Sequence, residues 1–174
     1  MPDPGGCRPD WHPDEAAACH ISDLTTVDIP ALAALEKDCF PRPWSGPAYA
    51  ESLARPGTGG FTATRINKDL FTGFVFFGII TDEMHIYKLA VAESYRHRGI
   101  GTRLMTAAME LAYRREIRRI LLEFRESNRP ASRFYRKLGF FASGRRNQYY
   151  DNQEDAILMT KTMKEACHGN SNRH

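Results

Sequence analysis

The segment Arg96-His97-Arg98-Gly99-Ile100-Gly101 carries residue types suited to holding a diphosphate. It follows an apolar run, Met84 to Val91, and opens a stretch where Ile100, Leu104, Ala108 and Leu111 recur at spacings of three or four. That pattern predicts a turn from a strand into an amphipathic helix. At such a turn glycines let the backbone approach an anion, the first helical N–H groups are unpaired, and the helix dipole favours negative charge. Arg96 and Arg98 add charge-assisted donors. A dinucleotide-binding turn would need G-x-G-x-x-G, but Leu104 stands at the third glycine position. A P-loop would need a lysine after the second glycine, and none follows. On these six residues alone, an ordinary helix start stays open beside an anion site.

The elements that must position this turn can be read along the chain. Cys19 to Thr26 predicts a first strand. Asp28 is placed to cap a helix with Pro30 in its first turn and Ile29, Leu32 and Leu35 on one face. CFPRPWS breaks that helix, and Ser45 is placed to cap a second one running through Leu53. Phe61 to Ile66 and Asp69 to Thr81 predict a hairpin turning at Asn67-Lys68, and Met84 to Val91 a further strand. After the amphipathic helix, of about sixteen residues, Ile120 to Phe124 reads as a short buried strand. Asn128-Arg129-Pro130 opens a helix from Ala131 to Leu138, and Gly139 closes it. Phe140-Phe141 starts one more strand, and Ala156 to Met163 gives the last. The order β-α-α-β-β-β-α-β-α-β-β predicts an α/β fold with a mixed sheet flanked by helices.

A chain of 174 residues predicts one domain. We expect a flexible extension over 1–17, the folded domain over 18–165 and a disordered tail over 166–174. Phe71 to Ile80, the longest nearly apolar stretch, is far short of the ~18 residues of a membrane span. The first residues, MPDPGGCRPDWHPDE, lack the basic end and apolar run of a signal peptide. A cytoplasmic protein is expected. Cys7, Cys19, Cys39 and Cys167 form no C-x-x-C pair, which predicts scattered reduced thiols, and none of the six histidines falls in a metal-ligand pattern. Residues 1–54 hold 3 basic and 9 acidic side chains, whereas 88–146 hold 15 basic and 5 acidic. A basic half on a chain of net charge +3 implies a local anionic ligand, either a phosphorylated cofactor or nucleic acid.

Arg96 to Gly101 also fits Q/R-x-x-G-x-G/A, the pattern of the GCN5-related N-acetyltransferases (GNAT). Beyond that turn, the chain resembles one branch of the superfamily, the bacterial ribosomal-protein-alanine N-acetyltransferases (the RimI type). The resemblance runs from about Ile21 to Met163 and rests on CFPRPWS, YKLAVAESYRHRGIG, LLEFRESNRPASRFYRKLGF and RRNQYYDNQEDAILM, in that order. It implies a GNAT fold, a mostly antiparallel sheet of six to seven strands with about four helices. It implies that Leu89, Ala90 and Val91 pair with the pantetheine arm of acetyl-CoA as an added strand would. The turn Arg96, His97, Arg98, Gly99, Ile100, Gly101 and Thr102 would then hold the pyrophosphate, and Asn128 would hydrogen-bond the cosubstrate. Glu123 matches the family's general base, Tyr135 its general acid, and Tyr149-Tyr150 its tyrosine pair beside the peptide cleft. The sequence departs from the pattern at Ala92-Glu93, where a polar residue followed by proline is common, and residues 1–17 have no counterpart.

Each of these residues also has a plainer reading. Glu123 could pair with Arg125 or Arg145 at a sheet edge, since burying a lone carboxylate is costly. Tyr135 could be a core aromatic beside Phe134 and Phe140, Asn128 a helix N-cap, and the tyrosine pair exposed sheet-edge aromatics. The resemblance implies acetyl transfer, without a metal, to the N-terminal amine of a small-subunit ribosomal protein. An α-amine, with a pKa near 7.7–8.0, is already ~10% neutral near pH 7, while lysine costs about 3 kcal/mol more to deprotonate, so one modest base suits an N-terminal acceptor. The rival acceptors are another protein N-terminus, a lysine and a small-molecule amine. A nucleic-acid module using Arg114, Arg115, Arg118 and Arg119 is a rival of another class, although no recognised nucleic-acid motif accompanies them.

Overall fold

The computed structural model describes residues 19–66, 70–151 and 153–163; the expected extension over 1–17, the tail and the turn at Asn67-Lys68 lie outside them. Seven strands form one sheet in the order β1-β2-β3-β4-β5-β7-β6. They are β1 (Cys19–Asp23), β2 (Thr58–Arg65), β3 (Leu70–Ile80), β4 (Glu83–Val91), β5 (Arg119–Arg125), β6 (Phe141–Arg146) and β7 (Ala156–Thr162). Neighbours are antiparallel except β4 and β5, which run parallel. The described helices are α1 (Ile29–Cys39), α2 (Gly46–Leu53), α3 (Ile100–Arg114) and α4 (Arg129–Lys137). The predicted order of elements is the observed one.

The unbroken apolar run of β3 follows from its central place, because a strand covered on both faces needs no polar alternation. Phe74 and Phe76 pack with Leu32, Leu35 and Tyr49 of α1 and α2. Val75 and Phe77 face the opposite layer, where they meet Leu104, Met105 and Ala108 of α3. The periodic face read in α3 is the packed one: Ile100, Leu104, Met105, Ala108 and Ala112 are all buried. Burial of each large side chain there contributes roughly 1.5–3 kcal/mol.

Several details differ from expectation: β2 starts at Thr58, three residues before Phe61, and three further departures have local reasons. The first strand stops at Asp23 because, after one last bond from the Leu24 N–H to the Gly60 carbonyl (2.9 Å), Thr25 starts a short turn. Asp28 holds the N-cap position of α1 but makes no side-chain bond to the helix; its carboxylate accepts from the Thr25 N–H (2.8 Å) and hydroxyl (3.0 Å). α4 begins at Arg129, two residues earlier than Ala131, with Asn128 Oδ1 accepting from the Ala131 N–H at 3.1 Å. Ser45 does cap α2, accepting from the Ala48 N–H at 3.3 Å. Gly139 ends α4 at φ +84°, where its N–H donates to Arg136 and the Phe140 N–H to Tyr135.

Candidate active site

β4 and β5 pair only from Glu83↔Arg119 to Ile86↔Leu122. Beyond that point β4 continues to Val91 beside β3, and β5 continues to Arg125 beside β7. A bulge helps to part them. Phe76 faces Lys88 and Phe77 faces Ile86, which leaves Tyr87 as an extra residue on β4 and bends the strand. The opening between the strands is a cleft of about 660 Å³, walled by β4, β5, the start of α3 and α4.

Strand alternation gives this opening two chemically different sides. Ile120, Leu122 and Phe124 of β5 are buried in the core under α3 and α4, so Glu123 and Arg125 emerge on the α1–α2 face. Tyr135 comes from α4 on the other side. Its ring stacks on Phe124 (5.8 Å between centroids) and meets Phe134 and Phe140 edge-on. Burial pushes the Tyr135 hydroxyl well above the usual phenol range, so it stays protonated. Both side chains line the one cleft. The core-aromatic reading of Tyr135 and its place at the cleft are thus both realised.

The predicted anion turn borders the same space. Gly99 takes φ +78°, a left-handed conformation that costs glycine nothing, and starts α3 without a side-chain cap. Gly99, Ile100, Gly101 and Thr102 line the cleft with Leu89, Val91, Arg96, His97 and Asn128. The first-turn N–H groups of an uncapped helix form a site for an anion. Two side chains of the expected set are not among those lining the cleft. Ala90 is buried in the α1–α2 layer, and the Arg98 guanidinium lies 5.3 Å over the Tyr95 ring. Arg96 donates from Nε to the Val91 carbonyl (3.1 Å) and from Nη2 towards Cys39 Sγ (3.7 Å), which fixes its guanidinium against the end of β4. Arg133 and Lys137 of α4 also line the cleft. Their i,i+4 spacing marks a shared helix face, a signal present in the sequence and missed there.

Glu123 pairs with neither Arg125 nor Arg145. Arg125 bonds Glu154 (3.2 Å), while Arg145 bonds Asp155 and Glu126 (2.9 Å to the latter). The partner of Glu123 is Arg146, 3.5 Å away, together with the Tyr149 hydroxyl, whose pKa is raised chiefly by donating to that carboxylate. Tyr149 and Tyr150 lie in the loop between β6 and β7, not on a sheet edge, with ring centroids 5.2 Å apart. Arg146 covers Tyr149 at 5.0 Å and Arg125 covers Tyr150 at 4.0 Å. The tyrosine pair is therefore held beside Glu123. Asp151 of this loop forms an ion pair with Arg42 of the CFPRPWS segment, which joins the two loops on the α1–α2 side.

A second constellation there was missed from sequence. Glu36 is fully buried, with Oε1 2.7 Å from Lys88 Nζ and 3.1 Å from the donating Trp44 N–H. The Tyr49 hydroxyl donates to Oε2, and burial followed by that carboxylate raises its pKa. The available signal was Glu36 falling four residues after Leu32, on the apolar face of α1, with Lys88 inside an apolar strand. At the opposite end of β4 and β5, Arg118 and Arg119 pair with Asp82 and Glu83, so these two arginines are neutralised locally. Cys19 and Cys39 are free thiols, while Cys7 and Cys167 lie outside the described residues. Among the described residues no cluster of His, Cys, Asp and Glu could hold a metal ion, and no helix is long and apolar enough to cross a membrane.

Known proteins resemble this chain in sequence and fold. The model of the acetyltransferase (GNAT) family matches residues 29–140. The ribosomal protein bS18-alanine N-acetyltransferase of Escherichia coli (strain K12) is 31% identical over 142 residues, covering 80% of this chain and 94% of that protein. The crystal structure of the ribosomal-protein-S18-alanine N-acetyltransferase from Escherichia coli superposes with a TM-score of 0.78 at 29% identity, over 90% of this chain and 99% of that one. Arabidopsis thaliana NAA60 in complex with a bisubstrate analogue shares the fold, with a TM-score of 0.77 at 20% identity over 85% and 99% of the two chains. Matched by the family model over residues 29–140 and by a relative 31% identical across 80% of its length, the chain belongs to the GNAT acetyltransferase family.

Proposed function

We propose that this acetyltransferase moves the acetyl group of acetyl-CoA to the N-terminal α-amine of a small-subunit ribosomal protein, one that begins with alanine. The observation that carries the reading is the two-sided opening between β4 and β5, with Glu123 on one face and Tyr135 on the other. The relation to an enzyme named for alanine acetylation of bS18 supports the acceptor. The pantetheine arm runs as an added strand along the edge of β4 at Leu89–Val91, which β5 leaves unpaired. The diphosphate sits on the uncapped N–H groups at Gly99–Thr102, with Arg96 contributing positive charge and His97 lining the turn, and Asn128 hydrogen-bonds the cosubstrate at the start of α4. Arg133 and Lys137 add positive charge along the same wall.

The reaction joins the amine nitrogen to the acetyl carbon and breaks the carbon–sulfur bond. Glu123, through a water, takes the proton that the amine gives up, and Tyr135 supplies a proton to the departing thiolate. A buried phenol that is still protonated at neutral pH suits that second task. Tyr149 and Tyr150 flank the acceptor's entry beside Glu123. The test is incubation with acetyl-CoA and peptides that begin with Ala, Ser or Met, or carry only an internal Lys, read by mass spectrometry. Acetylation of the Ala-initiated peptide at its α-amine is expected. Acetylation of polyamines or aminoglycosides but of no peptide overturns the acceptor assignment.

A further inference from the structure

We propose that Lys88 sets the size limit on the acceptor's first residue by filling the side-chain slot beside Glu123; this deepens the N-terminal acceptor reading above and rests on it. Pairing with Phe76 puts Lys88 on the α1–α2 face of β4, the face on which Glu123 leaves β5. Lys88 and Glu123 both line the cleft, immediately past the last β4–β5 pair, so an amine approaching Glu123 brings its own side chain against this wall.

The wall is an aromatic slot. The rings of Trp44 and Tyr87 stand 6.3 Å apart, Phe40 lies beside them in the cleft lining, and the Tyr87 hydroxyl lies where a side chain at position 78 would be. Phe40 and Tyr87 line the cleft, with Trp44 packed against Tyr87, and such an aromatic lining would otherwise accept a medium apolar side chain such as Leu or Met. Here Lys88 occupies it. Its Nζ lies 4.4 Å from the Phe40 ring centroid and 5.5 Å from that of Trp44. The ammonium is fastened at its far end to buried Glu36, 2.7 Å away, and Glu36 is itself held by the Trp44 N–H and the Tyr49 hydroxyl. A surface lysine would swing aside. This one cannot leave without stranding a buried carboxylate, which makes the slot rigidly full. An alanine methyl fits in front of the stem; a leucine must displace it.

The test compares kcat/KM for peptides that differ only in their first residue, Ala, Ser, Met or Leu. Because Lys88→Ala alone leaves Glu36 uncompensated, the informative proteins are Glu36→Gln/Lys88→Ala and Glu36→Gln/Lys88→Met. The first empties the slot; the second fills it with an uncharged stem of similar length. The wild type is expected to favour Ala over Leu, Glu36→Gln/Lys88→Ala to narrow that ratio by roughly tenfold or more, and Glu36→Gln/Lys88→Met to keep it. An unchanged ratio in the Ala-bearing variant, or an equal change in both variants, overturns the assignment to Lys88 while leaving the N-terminal acceptor standing. A wild type that acetylates no peptide overturns both.

Discussion

Glu123 and Tyr135 approach the same cleft from opposite faces of the sheet, one from the exposed side of β5 and the other from α4 beneath it. The pair can share a reaction centre only because β4 and β5 stop pairing after Ile86↔Leu122. A closed sheet would wall one off from the other. The split also sets two features apart: the turn with uncapped N–H groups lies at the start of α3, whereas the arginine-stacked tyrosines stand beside Glu123 on the α1–α2 side.

Replacing Glu123 by Gln keeps the size of the side chain and removes the proton acceptor. We expect kcat to fall by about 10²-fold or more, with activity recovering at higher pH where more of the amine is neutral. The Kd for acetyl-CoA should stay within about twofold, because the carboxylate lies away from the anion turn. Steady-state rates across pH 6 to 9, with calorimetry for the donor, check this. An unaltered rate removes Glu123 from the chemistry.

Tyr135→Phe preserves the stack on Phe124 and deletes only the hydroxyl. The fold should be retained, and the single-turnover rate should fall by about 10²-fold. The raised pKa of this phenol has a further consequence: it should not ionise as pH climbs through 10.0, so the wild-type rate should show no alkaline fall from this group below that value. Rapid-quench measurement of one turnover separates this step from product release. An equal rate in the Phe variant refutes the acid role.

Local patterns carried most of the fold in the sequence. The 3.6 period of α3, the Ser45 and Asn128 caps and Gly139 all depend on neighbours within a few residues, and each stands where expected. Asp28 stands at the N-cap of α1 as expected, but its carboxylate turns back to two donors on Thr25 and leaves the helix without a side-chain cap. What escaped depends on long-range register. Whether Glu123 meets Arg145 or Arg146 turns on a register shift between Ala142 and Gly144 in β6, which no local pattern encodes. The Glu36–Lys88 pair joins residues from α1 and β4, and the bulge at Tyr87 that turns Lys88 towards it exists only once β3 and β4 are paired.

The anion turn is tested by size. A Cβ at Gly101 would stand 3.5 Å from the Phe134 ring, an ordinary contact, so Gly101→Ala should fold and still bind acetyl-CoA. Gly101→Trp should project an indole into the space the diphosphate needs and weaken donor binding by roughly 10²-fold or more, since a displaced anion loses its N–H partners together. Calorimetry on both variants, with circular dichroism to verify folding, reads the difference. Tight binding in a folded Gly101→Trp protein places the phosphates elsewhere.

The loop that holds the tyrosine pair should respond to acid. The Asp155 carboxylate accepts from the Gln148 N–H at 2.7 Å and from Arg145, and these donors, the backbone one foremost, keep its pKa below the ordinary 3.8. A folded pKa below the unfolded one means that the stabilisation is complete above pH of about 4 and is lost as pH falls through the folded value. Tyr149 and Tyr150 lie between Gln148 and Asp155, so protonation should release them before the core yields. Hydrogen exchange, corrected for its intrinsic pH dependence, should accelerate at the Gln148 amide below that pH in the wild type. In Asp155→Asn it should already be fast at neutral pH and change little on acidification. Flat, slow exchange at Gln148 down to pH 3 in the wild type would show that another contact anchors the loop.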